Sequence, residues 1–250
     1  MIAFKNVTHY YSKNTPFETL ALKDLCMTIK KGERLAVMGR TGSGKSTFAQ
    51  LASGLIRPDS GEITVDGIDT KEKKDSHQLQ KKVGLVFQYP ESQFFMPTVK
   101  EEVAFALDNF EIEDPGERLT TNALTSVGLP ARIMQRNPFS LSGGEKRLTA
   151  IASIIVWNPD YLFLDEPTAG LDARGRKRVL NLLQRLEENG TAIVVITHDT
   201  RLVKDNFPRI VVLSGGKTAF DGETRDFFKE RELMKKTGIF EPFRILAASS

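Results

Sequence analysis

The run Gly39-Arg40-Thr41-Gly42-Ser43-Gly44-Lys45-Ser46 has the spacing G-x-x-x-x-G-K-S. Glycines at that spacing let successive backbone N–H groups turn inward around one anion, and a helix opening behind them adds the positive end of its dipole. The lysine that closes the run is expected to reach the β and γ phosphates of a nucleotide, and the hydroxyl after it to sit on Mg2+. A nucleoside triphosphate is therefore expected against Gly39, Arg40, Thr41, Gly42, Ser43, Gly44, Lys45, Ser46 and Thr47. A ligand-free Gly-rich turn is the plain alternative. It is disfavoured by the strand pattern before the run and the helix pattern after it.

A second run with chemistry in it is Tyr161 to Asp165, an apolar strand pattern that ends in a carboxylate, with Glu166 directly after. A strand tip of this kind places Asp165 near the metal, often through water, and leaves Glu166 to polarise an attacking water as general base. An Asp-Glu-Pro sequence taken alone could simply start a loop. Next to the phosphate loop the catalytic reading is the stronger one.

These residues need a scaffold, and the apolar patterning supplies it. Short branched runs at Arg34 to Met38, Val83 to Phe87, Tyr161 to Leu164, Ala192 to Thr197 and Ile210 to Leu213 read as strands, several of them continuous rather than alternating. Continuous runs suit strands covered on both faces, as in a parallel sheet flanked by helices. Helical periodicity intervenes at Ser46 to Ser53, Lys100 to Phe105, Gly144 to Val156 and Arg174 to Glu188. Earlier in the chain, Ile2 to Thr8, Leu22 to Ile29 and Gly61 to Val65 alternate, which predicts an antiparallel sheet beside the parallel one. Glu111 to Pro138 is helical but polar and is expected to form a lobe of its own. After Gly222 a helical tail reads as an add-on. The expected class is α/β: a P-loop NTPase parallel sheet flanked by helices, with an antiparallel β subdomain, a helical lobe and a small C-terminal helical appendage.

Composition narrows the function. The 250 residues suit one large domain and a small appendage, and 40% hydrophobic with 27% charged residues is a globular balance. A net charge of +3, from 35 basic and 32 acidic residues without long runs, argues against a nucleic-acid partner. The single cysteine, Cys26, has no partner for an internal disulfide and is expected to pack with Leu25, Met27 and Ile29. The first residues lack the layout of a signal peptide. No apolar stretch approaches the roughly 20 residues of a membrane helix, so any membrane role is expected to be peripheral.

Leu141-Ser142-Gly143-Gly144-Glu145, upstream of the acidic pair, resembles the signature segment of ATP-binding-cassette (ABC) proteins. The resemblance extends from Ile2 to about Gly222. It implies an ATPase domain over residues 1–222, with its helical lobe at about 90–150, and an extension over 223–250. Ser142 and two glycines at a helix start form a second anion-binding nest. The resemblance implies that Ser142, Gly143, Gly144 and Glu145 act on the nucleotide of a second ATPase subunit, and that Asp172, in Ala169-Gly170-Leu171-Asp172, crosses the dimer interface. It further implies that Gln88 touches Mg2+ and the attacking water, that His198 contacts the γ-phosphate, and that Tyr11 stacks on adenine. Ser46, Gln88 and Asp165 are then the metal's residues. Glu145 stands where glutamine is commoner in the family, yet it remains an acceptor. His9, His77 and Trp157 are read as structural.

The stretch Phe87-Gln88-Tyr89-Pro90-Glu91-Ser92-Gln93-Phe94-Phe95 is similar to energy-coupling factor transporter ATPases, as is Glu166 to Asp172 followed by Arg174-Gly175-Arg176. So is the tail Phe227 to Leu246, with Leu233, Gly238 and Pro242 along it. This resemblance implies a peripheral subunit on the cytoplasmic side of the cell membrane that powers uptake of a vitamin or transition-metal ion. Its partners would be a second ABC ATPase, identical or different, a transmembrane coupling subunit and a substrate-binding membrane subunit. An ATPase of another ABC transporter class, or a soluble ABC ATPase, is the alternative. Tyr89 to Pro97 is expected to line a groove for a short helix of the membrane partner, with Phe94, Phe95 and Met96 exposed; packing of Phe94 and Phe95 in the core is the plain alternative.

Overall fold

The computed structural model describes residues 1–89 and 93–240. Pro90, Glu91, Ser92, Pro242 and Leu246, named in the sequence comparison above, lie outside the described residues.

Two sheets carry the fold. The first is antiparallel and contains β1 (Ile2–Tyr11), β2 (Thr19–Ile29), β4 (Ser60–Val65) and β5 (Ile68–Asp69), in the order β2-β1-β4-β5. The second contains β3 (Arg34–Met38), β6 (Val83–Val86), β7 (Tyr161–Asp165), β8 (Ala192–Ile196), β9 (Arg209–Ser214) and β10 (Lys217–Glu223). Its order is β10-β9-β3-β8-β7-β6, parallel throughout except for β10, which pairs antiparallel with β9. Alternate residues of the parallel strands enter two different cores. Leu35, Val37, Phe163, Val194, Ile196 and Val211 face the antiparallel sheet and Phe48. Ala36, Met38, Leu162, Leu164, Ile193, Val195 and Val212 face the helical side. Burial on both faces is why these strands read as unbroken apolar runs.

The helices are α1 (Lys45–Ala52), α2 (Ser76–Lys82), α3 (Val99–Asn109), α4 (Arg118–Ser126), α5 (Gly143–Ile155), α6 (Ala173–Glu188), α7 (Thr200–Asn206), α8 (Thr224–Phe227) and α9 (Arg231–Thr237). A capping box at Thr98 starts α3, with Glu101 answering the Thr98 backbone. None of the helices among the described residues is long and apolar enough to cross a membrane.

The helical stretch before Pro138 shares the core of the main sheet, since Leu124 and Val127 join Val103, Leu107, Leu148 and Ile151 in one apolar cluster. The tail after Gly222 begins inside β10, and its Phe227, Met234 and Ile239 are buried in that same cluster. Cys26 is exposed rather than packed. In a strand whose Leu25, Met27 and Ile29 point inward, the residue between them must point out. Its thiol donates to Asn6 Oδ1 at 3.0 Å.

The two sheets are also tied by polar contacts at the end where β7 begins. Asp66, in the turn between β4 and β5, accepts hydrogen bonds from the Met1 amine, from the buried Tyr161 hydroxyl at 2.8 Å and from Lys82 at 3.2 Å, and pairs with Lys31 at 3.3 Å. The opposite ends of the parallel strands are left to open into loops.

Candidate active site

Ligands of open α/β sheets bind outside the carboxyl ends of the strands, and here those ends carry the candidate chemistry. The phosphate loop leaves β3, Gln88 follows β6, Asp165 ends β7, and Thr197-His198 follow β8. They converge on a cleft of about 900 Å3. Tyr11, Gly39, Arg40, Thr41, Gly42, Gly44, Lys45, Ser46, Thr47, Gln88, Asp165, Glu166 and His198 line it. Ser43 is buried behind the loop.

The loop's shape depends on Gly39, where a Cβ would come within 2.3 Å of the Leu213 carbonyl and 2.4 Å of Ser43 Oγ. With that position bare the chain curls tightly enough for Lys45 Nζ to donate to the carbonyls of Gly39 and Arg40, each at 2.9 Å. Burial lowers the Lys45 pKa, against the opposing charges of Asp165 and Glu166. Burial likewise raises the Asp165 pKa, opposed by a hydrogen bond from Ser46 Oγ at 3.0 Å and assisted by the charge of Glu166. Both charges are thus short of compensation, the lysine for an anion and the carboxylate for a cation. A hydroxyl and a carboxylate side by side are the hard oxygen donors that suit a divalent cation.

Glu166 has φ 50, a left-handed conformation that costs a non-glycine residue free energy unless the surroundings hold it. Its N–H donates to the Ile196 carbonyl at 2.8 Å, and its own carbonyl accepts from Arg147 Nη1 at 2.5 Å. Its carboxylate is held at both oxygens. Oε2 accepts from Thr197 Oγ1 at 2.9 Å, while Oε1 accepts from the His198 N–H at 2.9 Å and lies 2.6 Å from His198 Nδ1.

Two residues of this arrangement escaped the sequence reading. Arg147, buried on α5, spans from the Glu166 carbonyl to the Gln88 carbonyl, the latter at 2.7 Å. The available signal was an arginine on a helix face otherwise lined by Leu148, Ile151 and Ile155. Thr197 is the other, a hydroxyl at the tip of an apolar strand.

Tyr11 stands at the rim, its hydroxyl 3.1 Å from Thr47 Oγ1 and donating to Gln50 Oε1 at 3.3 Å, so its ring is fixed against α1. His9 packs edge-on to Tyr11, and His77 and Trp157 pack on Phe110.

The signature segment lies elsewhere, and none of Ser142 to Glu145 lines the cleft. Ser142 caps α5 in a capping box: its Oγ accepts from the Glu145 N–H at 3.3 Å, and Glu145 Oε2 accepts from the Ser142 N–H at 2.9 Å and hydroxyl at 2.8 Å. Those bonds, from the Ser142 backbone first and its hydroxyl second, hold the Glu145 carboxyl below the usual range. A Cβ at Gly143 would meet nothing within 4 Å. Asp172 caps α6 by accepting from the Gly175 N–H at 2.7 Å.

Beside Gln88 an apolar groove of about 460 Å3 is walled by Leu55, Phe87, Gln93, Phe95, Phe105 and Trp157. The two adjacent phenylalanines part company here. Phe95 is 59% exposed as expected, but Phe94 is buried at 6% in the main core, where its ring meets Phe139 edge-on. Glu102, buried at the start of α3, accepts from the N–H groups of Phe95 and Met96, each at 3.0 Å.

Known proteins resemble this chain throughout its length. The family described as ABC transporter matches residues 22–169. A second description, "AAA domain, putative AbiEii toxin, Type IV TA system", matches only 135–204, the part around the acidic strand tip. A Streptococcus thermophilus relative, "Energy-coupling factor transporter ATP-binding protein EcfA2", is 42% identical over 245 residues, 96% of this chain and 88% of its own. Among solved structures, a dimeric ATP-binding cassette in a post-hydrolysis state bound to ADP and Pi superposes with a TM-score of 0.83 at 31% identity, covering 90% of this chain and 99% of that one. The cbiO1 protein of Clostridium perfringens, described as part of the ABC transporter complex cbiONQ, gives 0.79 at 32% identity, covering 94% and 93%. A phosphate loop, an acidic strand tip and a histidine gathered at one cleft, with relatives of this kind along nearly the whole chain, make it an ATP-binding ATPase of the ABC transporter family, in the energy-coupling factor branch.

Proposed function

We propose that the chain hydrolyses ATP as one of two cassette subunits that close around shared nucleotides, and that closure drives uptake of a vitamin or a transition-metal ion through membrane subunits. The observation that carries the two-subunit reading is the separation of the signature segment from the cleft. Gly143 has open space around it, so nothing among the described residues requires a glycine there. The requirement comes from outside, where a phosphate held by another subunit would approach the Ser142 hydroxyl and the start of α5. Asp172 would sit at the same interface. The second subunit is an identical or a related ATPase.

Within one cleft, Lys45 binds the β and γ phosphates and the loop N–H groups surround them, while Tyr11 offers its ring to the base. Ser46, Gln88 and Asp165 are the residues to hold Mg2+, which when bound neutralises charge on the phosphates. Glu166 accepts a proton from the attacking water as that oxygen bonds to the γ-phosphorus. The bond from the γ-phosphorus to its bridging oxygen breaks, and ADP leaves with the electron pair. His198, its ring exposed, turns to the γ-phosphate. We read residues 1–222 as the ATPase domain, with a helical part at about 90–150, and 223–250 as the extension. The energy-coupling name of the relatives supports membrane partners, a coupling subunit and a substrate-binding subunit, and hence a peripheral place on the cytoplasmic face.

The test is a pair of variants. Glu166→Gln is expected to keep ATP binding and lose hydrolysis by about 100-fold or more, with ATP-dependent dimers accumulating on size-exclusion chromatography. Gly143→Asp is expected to keep ATP binding by the monomer and lose those dimers. No ATP-dependent dimer in Glu166→Gln would overturn the two-subunit reading, whereas dimers undiminished by Gly143→Asp in that background would remove the signature segment from the interface.

A further inference from the structure

Thr197 is fully buried at the tip of β8, and its single hydroxyl proton has one destination. The oxygen already accepts from the Asp199 N–H at 3.1 Å, so the hydrogen points to an acceptor, and Glu166 Oε2 at 2.9 Å is that acceptor. The Asp199 side chain in turn caps α7 through the N–H groups of Arg201 and Leu202, each at 3.0 Å. Thr197 is therefore fixed from both sides, by its strand and by the cap of the next helix.

The two oxygens of Glu166 are held by unequal partners. Oε2 has a fully buried hydroxyl. Oε1 has the His198 N–H and the His198 ring, and that ring belongs to a side chain 82% exposed to solvent. The N–H stays with the chain, so only the ring contact is given up when the imidazole turns away.

We propose that Thr197 is a positioning residue for the hydrolytic reaction: by anchoring Oε2 it aims the carboxylate so that Oε1, vacated by the imidazole, is the oxygen that takes the proton of the attacking water. The inference rests on Glu166 being the general base. The left-handed backbone of Glu166 gives the anchor added weight, since a strained residue keeps its direction only while its surroundings hold it.

The experiment measures ATP binding and steady-state hydrolysis for Thr197→Val, Thr197→Ser and Glu166→Gln in the full chain. Val keeps the shape and removes the hydroxyl, whereas Ser keeps the hydroxyl. The expected result is a fall in kcat of roughly 10- to 100-fold for Thr197→Val, the range for losing one hydrogen bond to a charged group, with KM and ATP affinity unchanged. Thr197→Ser restores most of the rate. In the Glu166→Gln background Thr197→Val adds little, because the group it acts through has gone. Should the Val variant fail to bind ATP, Thr197→Ala, which removes the hydroxyl without misplaced bulk, carries the same expectation. A hydroxyl-free variant that binds ATP and turns over at the wild-type rate, or equal loss in Ser and Val, overturns the proposal while leaving Glu166 as base. Wild-type turnover by Glu166→Gln overturns the underlying reading instead.

Discussion

At the scale of single residues, the phosphate loop shows why some chemistry is legible in a sequence and some is not. Gly39 to Ser46, Asp165-Glu166 and His198 stand out in the sequence because the pattern that marks them lies in neighbouring residues or in a strand ending beside them. Arg147 and Thr197 do not, because each matters through a bond to a residue far along the chain: the carbonyls of Gln88 and Glu166 for one, the Glu166 carboxylate for the other. Lys45 offers a direct test of the loop. Its half-buried ammonium is turned onto its own loop carbonyls, and burial lowers its pKa, so an incoming phosphate would supply an anion for it. Lys45→Ala is expected to weaken ATP binding roughly 10- to 100-fold in calorimetry while leaving the melting temperature within a few degrees. Unchanged affinity would remove Lys45 from the phosphate site.

At the scale of elements, legibility followed apolar content. The parallel strands were readable as continuous runs and α6 as an amphipathic helix, but β10 was not. It is an edge strand whose residues Lys217 to Glu223 are mostly exposed, so nothing in its composition demands burial. The short helices α2 and α7 offer one turn or two of pattern, too little to separate from a loop. The described part of the tail is helical, as its pattern predicts, and what the pattern left open was the surface that it packs on. Phe227 is buried in the main cluster and packs on Phe220 of β10 at a ring separation of 5.3 Å. Phe227→Ala is expected to cost about 3–5 kcal/mol in urea unfolding followed by circular dichroism. An appendage with no share in the core would leave the main transition where it was.

At the scale of the whole molecule, the cleft and the groove are joined through short pieces of backbone. Gln88 lines the cleft, Phe87 and Gln93 wall the groove, and Arg147 holds the Gln88 carbonyl to the carbonyl of Glu166. A partner seated in the groove would therefore press on a segment continuous with the ATP site. The sequence marked this stretch as apolar but could not say which phenylalanine faced out. Phe95 is expected to anchor the membrane partner. Because Phe95 is exposed, Phe95→Glu should fold, melt and bind ATP as wild type does, yet fail to co-purify with the membrane subunits, since a carboxylate would be desolvated in the filled groove. Intact co-purification and uptake would exclude the groove at this position.

The Asp66 junction, which lines neither the cleft nor the groove, has a consequence in the response of the molecule to acid. Partial burial alone would raise the Asp66 pKa, but hydrogen bonds from the Met1 amine, Tyr161, Lys82 and Lys31 outweigh it and hold the carboxyl well below its usual value. A carboxyl depressed in the folded state binds its proton more readily when the chain unfolds, so its stabilisation is complete above the ordinary carboxylate range and declines as pH falls through the folded value. The stability contributed by this junction should accordingly begin to decline from about pH 5 downward, while the contacts themselves persist until the much lower folded value is reached. Asp66→Asn is expected to lower the melting temperature at pH 7 and to flatten its decline in acid. Parallel melting curves for the two proteins from neutral pH to pH 3 would show that the junction plays no part in acid sensitivity.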